Sequence, residues 1–135
     1  MEMKGTPDEL VGIVRATIVA IVRRDGPDLT ARQLGVFLTV YLQNGPHTVR
    51  GLAGGLNVSK PAITRALDRL GELDVVRRKV DPRDRRSVLV QRTVKGAALL
   101  RELRAIMRDA AVQENGTEQS PVRFEEAAEA RRVGA

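Results

Sequence analysis

SKPAITRALDRLGEL, from Ser59 to Leu73, runs directly into DVVRRKV (Asp74 to Val80), DPRDRR (Asp81 to Arg86) and SVLVQR (Ser87 to Arg92). In the first piece Ile63, Ala66, Leu67 and Leu70 recur at helical spacing. Lys60, Thr64, Arg65, Asp68 and Arg69 fall on the other side, so the piece reads as an amphipathic helix with a polar, mostly basic face. Ser59 is placed to cap it, and Pro61 sits in the first turn, where a missing N–H costs little. After Leu73 the period changes. Two short β-rich runs flank the polar turn Asp81 to Arg86, which predicts a hairpin with three arginines and two aspartates at its tip.

Upstream, a short extended piece at His47 to Val49 leads into a helix of about two turns from Val49 to Leu56. Asn57-Val58-Ser59 then makes a tight turn. Thr30, with Gln33 three residues on, forms a capping box for a helix over Ala31 to Asn44, whose apolar stripe is Leu34, Phe37, Leu38, Tyr41 and Leu42. A first helix is expected from Pro7 to Arg24, with Leu10, Val14, Ile18, Ile21 and Val22 on one face. Its β-branched residues are poor helix formers, so packing against a partner surface must help to hold it. Downstream, Thr93 caps a helix to about Gln113, with Ala97, Leu100, Leu103, Ile106, Met107 and Ala110 apolar. Residues 114–135 read as a polar tail in which Ser120-Pro121 opens at most a short weak helix through Arg132.

A chain of 135 residues, 42% hydrophobic, is long enough to bury one modest core, so a single domain over residues 1–113 is expected. Only 2% of the residues are aromatic, which leaves Leu, Val, Ile and Ala to build that core and favours packed helices. The formal charge is +6, unevenly spread. Arg50 to Arg104 carries fourteen Lys and Arg against six Asp and Glu, while the two ends carry nine against eleven. A basic middle of this kind suits an anionic partner, nucleic acid or membrane surface. Arg77, Arg78 and Lys79 do not form a membrane patch, because alternation along a strand sends them to opposite sides; solvation is their expected role, and phosphate contact by one of them is the alternative.

Several chemistries are excluded. Without cysteine there are no disulfides, thiolate metal sites or cysteine nucleophiles. His47 is the only histidine and reads as a turn residue, not a metal ligand. Gly51-Leu52-Ala53-Gly54-Gly55 matches neither usual phosphate-loop fingerprint, and close helix packing or a C-cap explains it better. Phe37 and Tyr41, four apart, are expected in the core. No serine, histidine and acid arrangement presents itself, so no enzymatic step and no cofactor are expected. No apolar run approaches the ~20 residues that span a bilayer, and no segment resembles a signal peptide, so the cytoplasm is the expected compartment.

A short helix, a tight turn, an amphipathic helix and a hairpin with a basic tip form the layout of a winged helix-turn-helix, here from about Leu29 to Lys95. The first turn of the second helix can enter the major groove of duplex DNA, which makes Ser59, Lys60, Pro61, Thr64, Arg65, Asp68 and Arg69 the candidate contacts. Asp68 has a second reading as an intrahelical partner of Arg65 or Lys60. Arg83, Asp84, Arg85 and Arg86 are the candidate wing contacts, since an arginine on a stiff ribbon suits a narrow A·T-rich minor groove. A carboxylate in the tip can fix the loop and leave an arginine pointing outward.

On these residues the chain resembles the MarR family of bacterial regulators. The matching pieces are Leu29-Thr30, Val49-Arg50-Gly51-Leu52-Ala53, Ser59 through Leu70, Val75-Val76-Arg77-Arg78, Asp81 through Arg86, and Thr93-Val94-Lys95-Gly96, in order and without large insertions. The resemblance implies a mainly α fold in which residues 29–92 form the DNA-binding core and residues 1–28 and 93–113 are dimerisation helices. It further implies a homodimer reading a pseudo-palindromic operator, most simply as a repressor, with a small-molecule effector of unknown identity. By the same likeness Asp84 and Arg86 brace the wing, and Arg83 or Arg85 approaches the minor groove. The chain departs from the pattern in having Asp74 where the family commonly has glycine, and in lacking a convincing long C-terminal dimerisation helix. The competing reading is a winged-helix module whose basic face binds an acidic protein partner; such a module has no need of Arg83, Arg85 and Arg86 at its tip.

Overall fold

The computed structural model of the chain describes residues 5–116, and the weak helix expected from Ser120 lies outside them. Five helices and three strands follow one another: α1 (Pro7–Arg23), α2 (Ala31–Leu42), β1 (His47–Thr48), α3 (Val49–Leu56), α4 (Lys60–Glu72), β2 (Val76–Asp81), β3 (Asp84–Arg92) and α5 (Val94–Gly116). The fold is mainly helical with a small antiparallel sheet, as the hydrophobic periods predict. Residues 25–105 form one compact unit, and α1 with α5 from Ile106 onward belongs to a second.

In the first unit the core lies where α2, α3, α4 and the sheet meet. Phe37, Ile63, Leu67, Leu70, Val36 and Val40 are fully buried, joined by Tyr41, Leu52, Val75, Val76 and Val90. Thr30 caps α2 with the expected reciprocal box: its hydroxyl accepts the Gln33 N–H and Gln33 Oε1 accepts the Thr30 N–H. Asn57 ends α3 in a left-handed conformation, φ 53°. Within the glycine run a Cβ on Gly54 or Gly55 would meet nothing within 4 Å, whereas one on Gly51 would come to 3.0 Å from the Thr48 hydroxyl; the cap is Asn57.

The sheet runs β1-β3-β2. Two residues of β1, His47 and Thr48, pair with Val90 and Leu89, adding a third strand to the expected hairpin. Across the hairpin Arg78 faces Val90 and Val80 faces Val88. The tip is tighter than expected. Asp81 pairs with Asp84 around Pro82-Arg83, so Arg85 and Arg86 belong to β3 and not to the loop. The reason is local: Asp81 Oδ1 accepts the Arg83 N–H at 2.9 Å and Asp84 Oδ1 accepts the Arg86 N–H at 3.1 Å, the side-chain-to-backbone turn that aspartate favours.

One buried junction ties this unit together. The Tyr41 hydroxyl donates to the Val75 carbonyl at 2.6 Å and accepts the Thr93 N–H at 2.9 Å. The Thr93 hydroxyl in turn donates to the Asp74 carbonyl at 2.7 Å and accepts the Gly96 N–H. Asp74 holds φ 59°, a left-handed conformation that glycine adopts most easily and that aspartate tolerates better than most other residues. Gly96 is required by the junction, because a Cβ there would collide with the Tyr41 hydroxyl and the Val75 carbonyl.

In the second unit α1 begins with a capping box between Thr6 and Glu9. Gly12 of α1 lies against Glu114 of α5, whose carboxylate a Cβ would strike. No side chain of α1 is buried, and Val11, Val14, Ile18 and Val22 are each more than half exposed along one stripe.

Tyr41→Phe strands the Thr93 N–H, and Gly96→Ala overfills the same space. Each is expected to lower the unfolding free energy by about 1–3 kcal/mol, read as a shift of the urea midpoint.

Candidate nucleic-acid interface

The Ser59 hydroxyl accepts the Ala62 N–H at 3.3 Å and starts α4. Burial of Ala62, Ile63, Ala66, Leu67 and Leu70 then fixes the helix roll, and Lys60, Pro61, Thr64, Arg65 and Asp68 are left exposed. The expected polar face is therefore presented as one surface. Arg69 lies at its edge, half-buried, with Nη1 3.2 Å from Glu72 Oε2. Asp68 pairs with neither Arg65 nor Lys60; its partner is Arg78 of β2, at 2.7 Å.

The helix before the turn adds a cation that the sequence reading did not single out. Thr48 caps α3 by accepting the Gly51 N–H at 2.9 Å, which leaves Arg50 exposed in the first turn. The signal for it in the sequence is Thr48, an N-cap residue two positions before Arg50.

On the hairpin, residues of one pleat face share a side. Asp84, Arg86 and Val88 line a hollow of about 420 Å³ together with Arg50, Lys60, Thr64 and Arg78. Four cations from α3, α4, β2 and β3 thus converge on one concavity, with Asp84 the carboxylate at its rim. Arg85 belongs to the opposite pleat face, and Arg83 occupies the two-residue tip. Among the described residues Arg65, Arg83, Arg85 and Arg86 make no salt bridge, so their guanidinium groups remain available to an anionic partner.

An amphipathic helix presenting a basic face, preceded by a short capped helix and followed by a cationic hairpin, defines a winged helix-turn-helix. A family model described as the MarR family matches residues 29–88, and this winged segment is of that family. No curated protein matches the chain. Among solved structures, a mutant MepR of S. aureus bound to oligodeoxyribonucleotide is similar at 20% identity, covering 97% of this chain and 96% of that one, with a TM-score of 0.67. MarR itself is similar at 25% identity and TM-score 0.63, covering 96% of each chain. The regulator BldR from Sulfolobus solfataricus is similar at 27% identity and TM-score 0.57, covering 93% of this chain and 88% of that one.

The wing tip depends on two carboxylates bonded to backbone. Asp81→Ala and Asp84→Ala are expected to speed hydrogen exchange at the Arg83 and Arg86 amides respectively, with the α4 amides unchanged.

Proposed function

We propose that this chain is a duplex-DNA-binding transcription regulator that works as a homodimer, without an enzymatic step. The observation that carries the reading is the convergence of Arg50, Lys60, Arg78 and Arg86 on one hollow between the exposed face of α4 and the wing. A hollow of that charge suits the phosphodiester strand that separates a major groove from the adjacent minor groove. The exposed face of α4 then lies toward base edges, where Arg65 and Thr64 are the reading side chains, and Arg83 or Arg85 reaches into the minor groove. Ser59, Lys60 and Pro61 face the backbone at the helix start, where the positive end of the helix dipole and the Lys60 cation favour phosphate. That MepR is bound to an oligodeoxyribonucleotide supports the same assignment.

The homodimer rests on the apolar stripe of α1. Val11, Val14, Ile18 and Val22, with Met107 and Val112 of α5, are all exposed in the single chain, and apolar surface of this extent calls for a cover. A second copy supplies it in an isologous interface. That symmetry calls for two half-sites, and we propose that they lie one helical turn apart, with centres about 10 base pairs apart. Occupying a promoter and excluding polymerase makes repression the simplest outcome.

The test is a titration of duplex fragments, including the promoter nearest its own gene, at two salt concentrations. Binding is expected to weaken steeply with salt. Arg50→Ala should weaken all duplexes alike and reduce the salt slope by about 1, whereas Arg65→Ala should cost about 1–3 kcal/mol at the operator and relax sequence preference. Binding to no fragment, or binding indifferent to both substitutions, would turn the reading toward an acidic protein partner. Separately, Ile18→Glu is expected to shift sedimentation from dimer to monomer and to abolish the paired footprint; a dimer that survives it must be held elsewhere.

A further inference from the structure

Among the described residues, one side-chain hydrogen bond joins the recognition helix to the hairpin: Arg78 Nη2 donates to Asp68 Oδ1 at 2.7 Å. The two side chains are 36% and 52% exposed, and an ion pair this open contributes little to folding stability. What it supplies is direction. Arg78 stands opposite the buried Val90 in the hairpin ladder, on the face turned to the helices, and it lines the hollow with Arg50, Lys60 and Arg86. A guanidinium carries five N–H donors in a rigid planar fork. Asp68 engages one Nη, and the remaining donors stay free for a phosphate in the hollow.

We propose that Asp68 is a positioning residue. Its carboxylate orients Arg78 and, through it, holds the wing at one distance from α4, so that a single register of the duplex satisfies the recognition helix and the wing together. The inference rests on the DNA-binding reading above and adds to it the way register is enforced. It makes a prediction that plain electrostatics does not. A carboxylate beside a phosphate-binding surface repels DNA, so its neutralisation should tighten binding to every duplex equally. If Asp68 positions Arg78, neutralising it loosens the pairing of helix and wing and erodes preference for the operator while general affinity holds or rises.

The experiment compares the parent, Asp68→Asn, Arg78→Lys and the double variant on the operator recovered by titration and on a scrambled duplex of equal length and composition. Arg78→Lys keeps the charge but not the rigid planar fork, so its donors are no longer held in fixed directions toward carboxylate and phosphate. Each single variant is expected to lower the operator-to-scrambled affinity ratio by about fivefold or more, and the double variant by no more than either single, as coupled residues do. Asp68→Asn should bind the scrambled duplex at least as tightly as the parent. A ratio preserved in Asp68→Asn, or losses that multiply in the double variant, would overturn the positioning role alone. A parent that fails to distinguish the two duplexes would overturn the DNA reading, and this inference with it.

Discussion

The Tyr41 hydroxyl is the point on which the DNA-binding unit depends. It sits at the end of α2, whose last carbonyls have no partner within the helix. It bridges the turn that leaves α4, through Val75, and the turn that enters α5, through Thr93. A buried hydroxyl without partners would be costly, whereas one that donates and accepts locks three chain segments with a single atom. Arg92 completes the arrangement: its guanidinium lies 5.7 Å from the Tyr41 ring centroid and donates to the carbonyls of Val40 and Gln43, which sit in the orphan turn of α2. The root of the wing, the exit of α4 and the start of α5 therefore share one frame.

That frame is what makes a surface out of separate cations. Arg50, Lys60, Arg78 and Arg86 come from four elements, and their convergence needs the hairpin to leave the core at a defined angle. Beyond Val76 and Val90, which are buried, the hairpin is mostly exposed, so its outer half is governed by its own ladder and by the two aspartates at the tip. A stiff root and a tip closed by local bonds give a ribbon that can present arginines without a core beneath them. Asp81 and Asp84 serve backbone N–H groups, which leaves Arg83 and Arg85 without a carboxylate to neutralise them.

The helices were legible because their signals are local. Ile63, Leu67 and Leu70 recur at a period that admits one buried face, and the Thr30 and Gln33 pair announces a start that the structure contains. What escaped depends on partners distant in sequence. His47 and Thr48 become a strand only because Val90 and Leu89 are there to pair with. On its own helix Asp68 has Arg65 three residues and Lys60 eight residues before it, while its partner Arg78 comes from another element. The tip is narrower than the polar turn from Asp81 to Arg86 suggests, because the Asp81 and Asp84 carboxylates accept backbone N–H groups and let the ladder close at Asp84. Val36 and Val40, both fully buried, lay outside the stripe assigned to α2 because it was read as one face of a helix that is in fact wrapped by α3, α4 and the sheet.

The second unit carries the opposite lesson, that a legible helix need not be a self-sufficient one. α1 has its capping box and its 17 residues, yet caps contribute only about 1 kcal/mol each and β-branched residues weaken the backbone's own preference. A helix of this composition is held by burying an apolar face. Its stripe of valines and isoleucine is exposed among the described residues, and in the proposed homodimer a second copy covers it. A like copy fits because an isologous contact sets the same stripe on both sides of a two-fold axis, and the same axis then relates two recognition helices. On this argument the surface that completes the folding of α1 also supplies the second half of the proposed DNA contact, which would make dimer formation and operator recognition one energetic event.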